Sequence, residues 1–388
     1  YGAAGTGKTT LINYISNMMN QSKKLFLTKT HTALQNLKRR IENPGFDYDF
    51  ISIDSFTKTV TLTDYDIVFV DECSTIDNRT MKMLLEKIDE NTLLVLAGDI
   101  YQIESIDFGN WFYYAKDIIK TDGANVELLN TWRTDKKELK GLWDEVRKIQ
   151  PIITEKLAID GPFSADIGEE IFISQDKDEI VLCLNYDGKF GLNNMNLYFQ
   201  NANTKSEVYT WAEWTFKVGD PVIFLDTQRS PLLYNNLKGR IVDISKRDSV
   251  ILFTLDIDTF LTERQCRNES FEFVDVTDFG TRIRLEVVAN DDELATEEER
   301  IKTIIPFQIA YAVSIHKAQG LEYNSVKIII PSYNAEKISH SIFYTAITRA
   351  KEKLKIFWSA ETMKTVVESF DKEKNGQRTL ELIEEKLK

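Results

Sequence analysis

The feature that most constrains this chain is the glycine-rich stretch YGAAGTGKTT at its start. Gly2, Gly5 and Gly7 stand before Lys8 and Thr9 in the pattern G-x-x-x-x-G-K-[ST]. Small residues let consecutive backbone N–H groups surround a phosphate, while the lysine adds a positive charge and the threonine a hydroxyl for Mg²⁺. The next run, LINYISNMMN, has apolar residues at helical spacing, and a helix N-terminus favours the same anion. The stretch therefore predicts a phosphate-binding site.

A loop of this kind normally follows a β-strand, yet here it begins at residue 1. We therefore expect the chain to be part of a longer protein. The first strand of the domain, and a further domain such as a nuclease or another effector, would then lie upstream.

Composition limits the class of protein. A chain of 388 residues with 43% hydrophobic residues can form two or three packed domains. Its apolar runs are too short to cross a bilayer, which predicts a soluble protein without a membrane partner. Cys73, Cys183 and Cys266 are widely spaced, so they indicate core positions in a reducing, cytoplasmic compartment. A net charge of −13 argues against non-specific coating of nucleic acid but permits a local basic groove.

Short apolar runs alternate with helical patterns in the first third of the chain and return near its end. This alternation predicts an α/β fold with parallel sheets covered by helices. The predicted strands are LFLT (25–28), FISI (50–53), DIVFVDE (66–72), TLLVLAGD (92–99), VELL (126–129), EIVLCLN (179–185), IAYAVSI (309–315), VKIII (326–330) and LKIFW (354–358). Between the last two groups, residues 209–304 hold short alternating strands punctuated by Gly, Asp and Asn, as expected of a small antiparallel barrel. The acidic run NDDELATEEER (290–300) is predicted to be an exposed loop.

Acidic and amide side chains follow two of the predicted strands. Asp71 and Glu72 end the run VFVDECS, and the first is suited to hold Mg²⁺ while the second orients or deprotonates an attacking water. Asp99 and Gln102 follow the next strand in GDIYQIESI. Ligands bind at the carboxyl ends of parallel strands, so these residues are candidates for the same site as the glycine-rich loop.

The phrases DECS and GDIYQ resemble motifs II and III of superfamily 1 helicases. The resemblance continues in order through FLTKTHTAL (motif Ia), ISIDSF (Ib), LLNTWRT (IV), AVSIHKAQGLEYNSV (V) and FYTAITRAKEKL (VI). VLCLN, KVGDPVIF and YNNLKGRIVDI resemble the RecD-like branch, superfamily 1B. Three mild departures are Trp132 in place of tyrosine in motif IV, Lys29 in motif Ia, and Ser314 in place of threonine in motif V.

The resemblance implies a fold, domain limits and cofactors. It implies two RecA-like P-loop lobes, one at residues 1–138 and one at 139–208 plus 305–388, with residues 209–304 as an SH3-like antiparallel insert in the second. The implied cofactors are ATP and Mg²⁺, bound between the lobes. Adenine recognition in many relatives uses a glutamine motif upstream of the loop, outside this sequence.

The resemblance also implies the roles of individual residues. Catalysis falls to Glu72, Gln102, Arg133 and Arg349, with the two arginines on the γ-phosphate. Mg²⁺ is assigned to Thr9 and Asp71. The nucleotide is assigned to Gly2, Gly5, Thr6, Gly7, Lys8, Thr9, Thr10, Gly320 and Glu322, the last near the ribose. Nucleic acid is assigned to Thr30, His31, Ser55, Phe56, Ser314 and His316. Phe56, Trp111 and Tyr323 are candidates to stack on bases, although aromatic residues are more often in the core. The cluster Lys38, Arg39 and Arg40 is either basic contact surface or a solvated helix face.

The implied function is an ATP-driven translocase on single-stranded DNA, moving 5′ to 3′. Two alternatives stay open at this point: an RNA helicase, and a regulatory ATPase in which nucleic acid switches a partner protein or an effector domain. RecD-like relatives usually insert a hairpin between motifs Ib and II, whereas here only TKTVTLTDYD follows Phe56. This short segment predicts weak duplex unwinding unless another region or partner supplies the wedge.

Overall fold

The computed structural model describes residues 1–42, 44–45, 47–53, 55–56, 65–103, 109–119, 121, 123–159, 161–204, 206–225, 229–289 and 296–370. Residues 57–64, on which the expectation about the hairpin rests, lie outside this set, as do residues 290–295 of the acidic run. By its contacts the chain divides into two compact units, one of residues 1–179 and 318–388 and the other of residues 180–317. The domain limits implied at residues 138, 208 and 304 stay a prediction.

Strands and helices alternate through the described part of the first unit. The strands of the chain are β1 (Lys24–Thr28), β2 (Tyr48–Ser52), β3 (Ile67–Val70), β4 (Leu93–Leu96), β5 (Ser164–Ala165), β6 (Glu179–Cys183), β7 (Val208–Trp211), β8 (Trp214–Lys217), β9 (Pro221–Phe224), β10 (Lys238–Arg247), β11 (Val250–Ile257), β12 (Glu272–Val276), β13 (Thr281–Val288), β14 (Phe307–Ile309), β15 (Ala312–Ser314), β16 (Tyr323–Ile329) and β17 (Ala350–Phe357).

The α-helices are short, with 4 to 11 residues each. They are α1 (Lys8–Met18), α2 (His31–Arg40), α3 (Asn78–Leu85), α4 (Trp111–Ile118), α5 (Lys137–Arg147), α6 (Ile153–Lys156), α7 (Leu192–Ala202), α8 (Glu263–Cys266), α9 (Glu297–Lys302), α10 (His340–Ile347) and α11 (Ala360–Ser369). Short 3₁₀ helices span Cys73–Thr75, Glu169–Phe172 and Ser332–Lys337. In the part of the chain that the structure describes, no helix is both long and apolar enough to cross a membrane.

The first unit contains a four-stranded parallel sheet in the order β2-β1-β3-β4. Every residue of β1 and β3 is buried, because helices cover both faces of a parallel sheet. Successive side chains pack into different cores: Leu25 and Leu27 lie on one face, while Phe26 lies on the other and stacks on Phe69 at 5.0 Å. This burial fixes the register, and the register brings the carboxyl ends of the strands to one edge.

Three further strands of the first unit, β16, β17 and β5, also pair in parallel. The predicted strand at residues 126–129 contributes only one bridging residue, Leu128, which pairs in parallel with Gly2. The backbone N–H of Gly2 donates to the carbonyl of Gly98 at 3.1 Å, so the start of the chain lies beside the end of β4.

The second unit contains a six-stranded antiparallel sheet in the order β12-β13-β11-β10-β9-β14, the hairpin β7-β8 and the parallel pair β15-β6. Burial alternates along β11, so one of its faces meets a core and the other does not. That core includes Phe216, Phe253 and Phe307, whose rings contact edge-on at 5.1 to 5.9 Å. The predicted α/β class with an antiparallel insert is confirmed.

The three cysteines are buried and free, as their spacing predicted.

The first unit also buries an ion pair. Lys327 Nζ lies 2.9 Å from Glu179 Oε1, and the two side chains are 1% and 8% exposed. The same ammonium donates to the carbonyls of Ile171 and Ile173, and the other oxygen of Glu179 accepts from the Ser325 hydroxyl at 2.8 Å. The pair is thus fully hydrogen-bonded, which is the condition under which a buried charge is tolerated.

We predict that Lys327→Met lowers the free energy of unfolding by about 3 kcal/mol, because it leaves the buried carboxylate of Glu179 without its cation. Chemical denaturation measures the effect. The control is Lys364→Met, which removes a lysine that is 71% exposed and pairs with Glu368, and which we expect to change stability by less than about 0.5 kcal/mol. Equal effects of the two substitutions would contradict the prediction.

Candidate functional site

The glycine-rich loop adopts a conformation that only glycine takes easily at two positions. Gly5 and Gly7 have φ angles of 71° and 90°, and α1 begins immediately after Gly7. A Cβ on Gly5 would lie 2.3 Å from Cβ of Arg133, and the carbonyl of Gly5 accepts the backbone N–H of Trp132 at 2.7 Å. The missing side chain of Gly5 therefore allows the segment that carries Arg133 to pack on the loop.

Lys8 is folded back onto its own loop. Its ammonium donates to the carbonyls of Gly2 and Ala3 at 2.8 and 2.9 Å. Burial lowers the pKa of Lys8, and the carboxylates of Asp99 and Asp71 oppose that shift. The ammonium thus donates to two carbonyls of its own loop. The backbone N–H groups of the same loop are suited to bind an anion.

Hard oxygen donors meet beside the loop. The Thr9 hydroxyl donates to Asp71 Oδ2 at 3.0 Å, and the backbone N–H of Glu72 donates to Asp71 Oδ1 at 2.9 Å. Asp71 directly follows β3, so the end of the strand places it opposite the first turn of α1. A hydroxyl and a carboxylate are ligands that suit Mg²⁺, and these two residues fit the predicted metal site.

Glu72 has a strained backbone and a perturbed carboxyl group. Its φ of 57° is uncommon for a residue with a side chain, and such strain is typical of functional positions. Burial raises the pKa of Glu72 to about 7, and the charge of Asp71 adds to that effect, while Arg349, Lys8 and Arg133 oppose it. Gly320, with φ of 78°, lies so close that a Cβ there would be 3.5 Å from Glu72 Oε1.

The turn after β4 holds Asp99 and Gln102. Gln102 Nε2 donates to Asp99 Oδ2 at 2.9 Å, and the other oxygen of Asp99 accepts the backbone N–H of Tyr101 at 3.1 Å. Asp99 is 2% exposed, so its charge is satisfied within this turn. These hydrogen bonds orient the amide of Gln102 at the edge of the sheet where the strands end, the edge that also holds Asp71 and Glu72.

Two arginines reach the site from distant parts of the sequence. Arg349 is 1% exposed, and its three nitrogens donate to the carbonyls of Thr345 and Leu321 and to the Thr348 hydroxyl. Burial lowers the pKa of Arg349 to about 10, and the neighbouring charge of Arg133 acts in the same direction. At that pKa the guanidinium stays charged near neutral pH.

Arg133 is held by a carboxylate. Its guanidinium lies 2.7 Å from Glu322 Oε1 and donates to the carbonyl of Thr348 at 2.8 Å. Lys351 and Arg40 approach Glu322 as well, at 3.2 and 3.9 Å. Burial by itself would raise the pKa of Glu322, but these three cations outweigh it and lower the pKa to about 2. Glu322, which the resemblance placed near a ribose, is here a shared anion for three basic side chains.

A cavity of about 430 Å³ brings these side chains together. All its lining residues belong to the first unit. Among the residues selected from the sequence, the lining includes Gly5, Thr6, Gly7, Lys8, Thr9, Thr10, Asp71, Glu72, Asp99, Gln102, Arg133, Gly320, Glu322 and Arg349. Gly2 is absent from the lining and contributes through its carbonyl to Lys8. Trp132, 75% exposed, stands at the rim.

The structure adds residues that the sequence interpretation did not select. Tyr344 accepts the backbone N–H of Ala4 through its hydroxyl at 3.2 Å, and Thr345 accepts that of Ile103 at 2.9 Å. Asn36 from α2 donates to the carbonyl of Gly320 at 3.4 Å. Tyr344 and Thr345 lie within the phrase assigned to motif VI, so the motif marked the region but not the contacts.

Three of the proposed nucleic-acid contacts lie at the surface of the first unit. Thr30 caps α2 by accepting the backbone N–H of Ala33 at 3.2 Å, and His31 is the exposed first residue of that helix. Ser55 is exposed and accepts the hydroxyl of Ser52 at 2.9 Å. Arg40, in the basic cluster, lines the cavity, whereas Lys38 lies over the ring of Phe50 at 5.7 Å.

The stacking expectation needs correction. Phe56 is fully buried in the core beneath β1 and β3, so its ring has no face open to a base. Tyr323 is 4% exposed, and the indole of Trp111 donates to the carbonyl of Ile76 at 2.7 Å while it packs on the same core as Phe56. The apolar environment of these three rings explains the outcome.

Ser314 and His316 belong to the second unit. Ser314 ends β15, is 5% exposed, and accepts the backbone N–H of Lys317 at 3.2 Å. His316 is exposed in the turn that follows.

Two family models match the chain. The model described as "AAA domain" matches residues 1–159, and the one described as "UvrD-like helicase C-terminal domain" matches residues 309–356. The RecBCD enzyme subunit RecD of Buchnera aphidicola subsp. Acyrthosiphon pisum is 23% identical and aligns with 92% of this chain and 69% of its own length. RecD of Haemophilus influenzae is 22% identical over 97% of this chain and 68% of its own length.

Solved structures of Pif1 helicases share the fold. A Pif1 structure on DNA unwinding at forked double-stranded DNA has a TM-score of 0.55 at 16% identity, covering 93% of this chain and 88% of that one. Pif1 from Candida albicans has a TM-score of 0.54 at 15% identity, covering 95% and 92%.

The motif order, the cavity at the strand ends, the two family models and the RecD relatives agree with one another. Along most of its length the chain resembles superfamily 1 helicases of the RecD-like branch, superfamily 1B.

Proposed function

We propose that this protein hydrolyses ATP in the cavity of the first unit and uses the reaction to move along single-stranded DNA in the 5′ to 3′ direction. The observation that carries the proposal is the meeting of the phosphate loop, Glu72, Gln102 and two arginines in one cavity. RecD relatives match most of the chain, and one of the Pif1 structures of the same fold is bound to single-stranded DNA.

The geometry supports a role for each group around the triphosphate. The loop N–H groups and the N-terminus of α1 hold the phosphates, and Lys8 exchanges the carbonyls of Gly2 and Ala3 for phosphate oxygens. Thr9 and Asp71 would hold Mg²⁺, which neutralises phosphate charge when bound.

Other residues of the cavity accept the proton of the attacking water and stabilise the charge of the transition state. A carboxylate with a pKa near 7 is matched to accept a proton from water at neutral pH, and Glu72 has such a pKa. Arg133 and Arg349 stabilise the charge that develops on the transferred phosphoryl group, because a guanidinium offers donors in a fixed fork. The hydrogen bond to Asp99 orients the amide of Gln102, which contacts the γ-phosphate or the attacking water.

Movement along DNA requires contacts that do not depend on sequence. Thr30, His31 and Ser55 are surface groups of the first unit suited to the DNA backbone, and His316 is such a group in the second. Phe56 is left out of this proposal because it is buried. We also propose that the protein acts together with partner proteins, since the RecD relatives are subunits of the RecBCD enzyme.

Our first functional prediction concerns the polymer that stimulates the enzyme. ATP hydrolysis should rise at least tenfold with poly-dT and much less with poly-U, and the protein should displace streptavidin from one labelled end of single-stranded DNA. Displacement from the 3′ end alone indicates 5′ to 3′ movement. Greater stimulation by poly-U would favour an RNA helicase, and stimulation without displacement a regulatory ATPase.

The second prediction tests the assigned chemistry. Lys8→Ala and Glu72→Gln should each lower DNA-stimulated turnover by about 100-fold or more, since one loses a phosphate contact and the other the proton acceptor. Glu72→Gln should still bind ATP, as measured with a fluorescent analogue. Lys82→Ala, which alters an exposed lysine of α3, serves as control and should hydrolyse ATP at the rate of the unaltered protein. Turnover retained in both site variants would reject the assignment.

The third prediction follows from the raised pKa of Glu72. Because the protonated carboxyl cannot accept a proton, kcat/KM should fall about tenfold per pH unit below pH 7 and level off above it. Steady-state rates at saturating Mg²⁺ between pH 5.5 and 8.5 test this. Nucleotide affinity of Glu72→Gln over the same range corrects for pH effects on binding. A flat profile down to pH 5.5 would place the general base elsewhere.

A further inference from the structure

Helix α10 carries a buried threonine that contacts the turn after β4. The Thr345 hydroxyl accepts the backbone N–H of Ile103 at 2.9 Å, and the threonine has no exposed surface. Ile103 directly follows Gln102, whose amide is held by Asp99 on the other side. The turn that presents Gln102 is therefore fixed at both ends, once by a carboxylate and once by a hydroxyl.

The same threonine contacts an arginine of the cavity. Its backbone carbonyl accepts Nε of Arg349 at 2.9 Å. The nitrogen atoms that remain on this guanidinium are held by Leu321 and Thr348. Thr345 thus links the turn of Gln102 to Arg349 through two atoms of a single residue.

Helix α10 has a second attachment one residue earlier. The Tyr344 hydroxyl accepts the backbone N–H of Ala4, in the phosphate loop, at 3.2 Å. Burial raises the pKa of Tyr344, so this hydroxyl keeps its proton over the working range of the enzyme. The hydrogen bond at Tyr344 holds the helix against the phosphate loop. The helix therefore resists displacement of the Gln102 turn, which it contacts through Thr345.

We propose that Thr345 is a positioning residue for ATP hydrolysis, one that sets the place of Gln102 relative to Arg349. The proposal rests on the ATPase function proposed above. Thr345 is not among the residues that line the cavity, so it acts through the two groups that do. A misplacement of either group weakens contacts formed in the transition state more than those of the bound nucleotide.

Two substitutions at this position separate the hydroxyl from the volume of the side chain. Thr345→Val keeps the shape but leaves the buried N–H of Ile103 without an acceptor, and Thr345→Ser keeps the acceptor. We expect Thr345→Val to lower kcat of DNA-stimulated ATP hydrolysis about tenfold, with KM for ATP and affinity for a fluorescent ATP analogue within twofold of the unaltered protein. Thr345→Ser should restore kcat to within about twofold.

A matched control comes from a second buried threonine of the first unit. Thr362 is 2% exposed, and its hydroxyl pairs with that of Ser359 at the start of α11. Thr362→Val should lower the melting temperature without changing kcat at 25 °C. Hydrogen exchange measured by mass spectrometry adds a direct readout, because the peptide that contains Ile103 should exchange faster in Thr345→Val and at the ordinary rate in Thr345→Ser.

The outcomes separate this proposal from the proposed function. If the unaltered protein hydrolyses ATP, Lys8→Ala does not, and Thr345→Val keeps the unaltered kcat, the positioning role is overturned while the ATPase assignment stands. A rise of KM with unchanged kcat likewise overturns it. If the unaltered protein has no ATPase activity, both are overturned.

Discussion

The cavity of the first unit depends on the balance of opposite charges among side chains that are wholly or partly buried. Lys8, Arg133 and Arg349 line the same cavity as Asp71 and Glu72, and Glu322 pairs with three basic side chains. A buried charge is tolerated only where it is paired and hydrogen-bonded, so each group of the site restrains the next. Burial raises the pKa of Glu72, and the charge of Asp71 beside it adds to that effect, whereas at Glu322 the neighbouring cations outweigh burial and lower the pKa.

The sheet supplies the frame for this balance. In β1 and β3 all residues are buried on both faces, which fixes the strand register and places Asp71 and Asp99 at one edge. The helix α1 begins at the same edge and adds the positive end of its dipole. The phosphate loop is therefore not an isolated motif but the point at which the sheet, α1 and the segment of Arg133 meet.

Helix α10 extends that frame to the groups that complete the site. Its hydroxyl at Tyr344 meets the loop, its hydroxyl at Thr345 meets the turn of Gln102, and its last turn precedes Arg349. One short buried helix thus contacts three parts of the cavity.

The sequence by itself indicated the class of fold and selected the candidate residues of the site. The spacing in GAAGTGKTT and the acid after an apolar run selected Lys8 and Glu72, because glycine-rich loops and strand-end acids are local patterns. Arg349 was selected only through the resemblance of the later motifs to superfamily 1 helicases. Only the tertiary structure decided which side chains meet. Phe56 went to the core and not to a base, Glu322 paired with three cations, and Thr345 met Ile103 across 242 residues. Burial and pairing arise from segments far apart in the chain, so no local pattern encodes them.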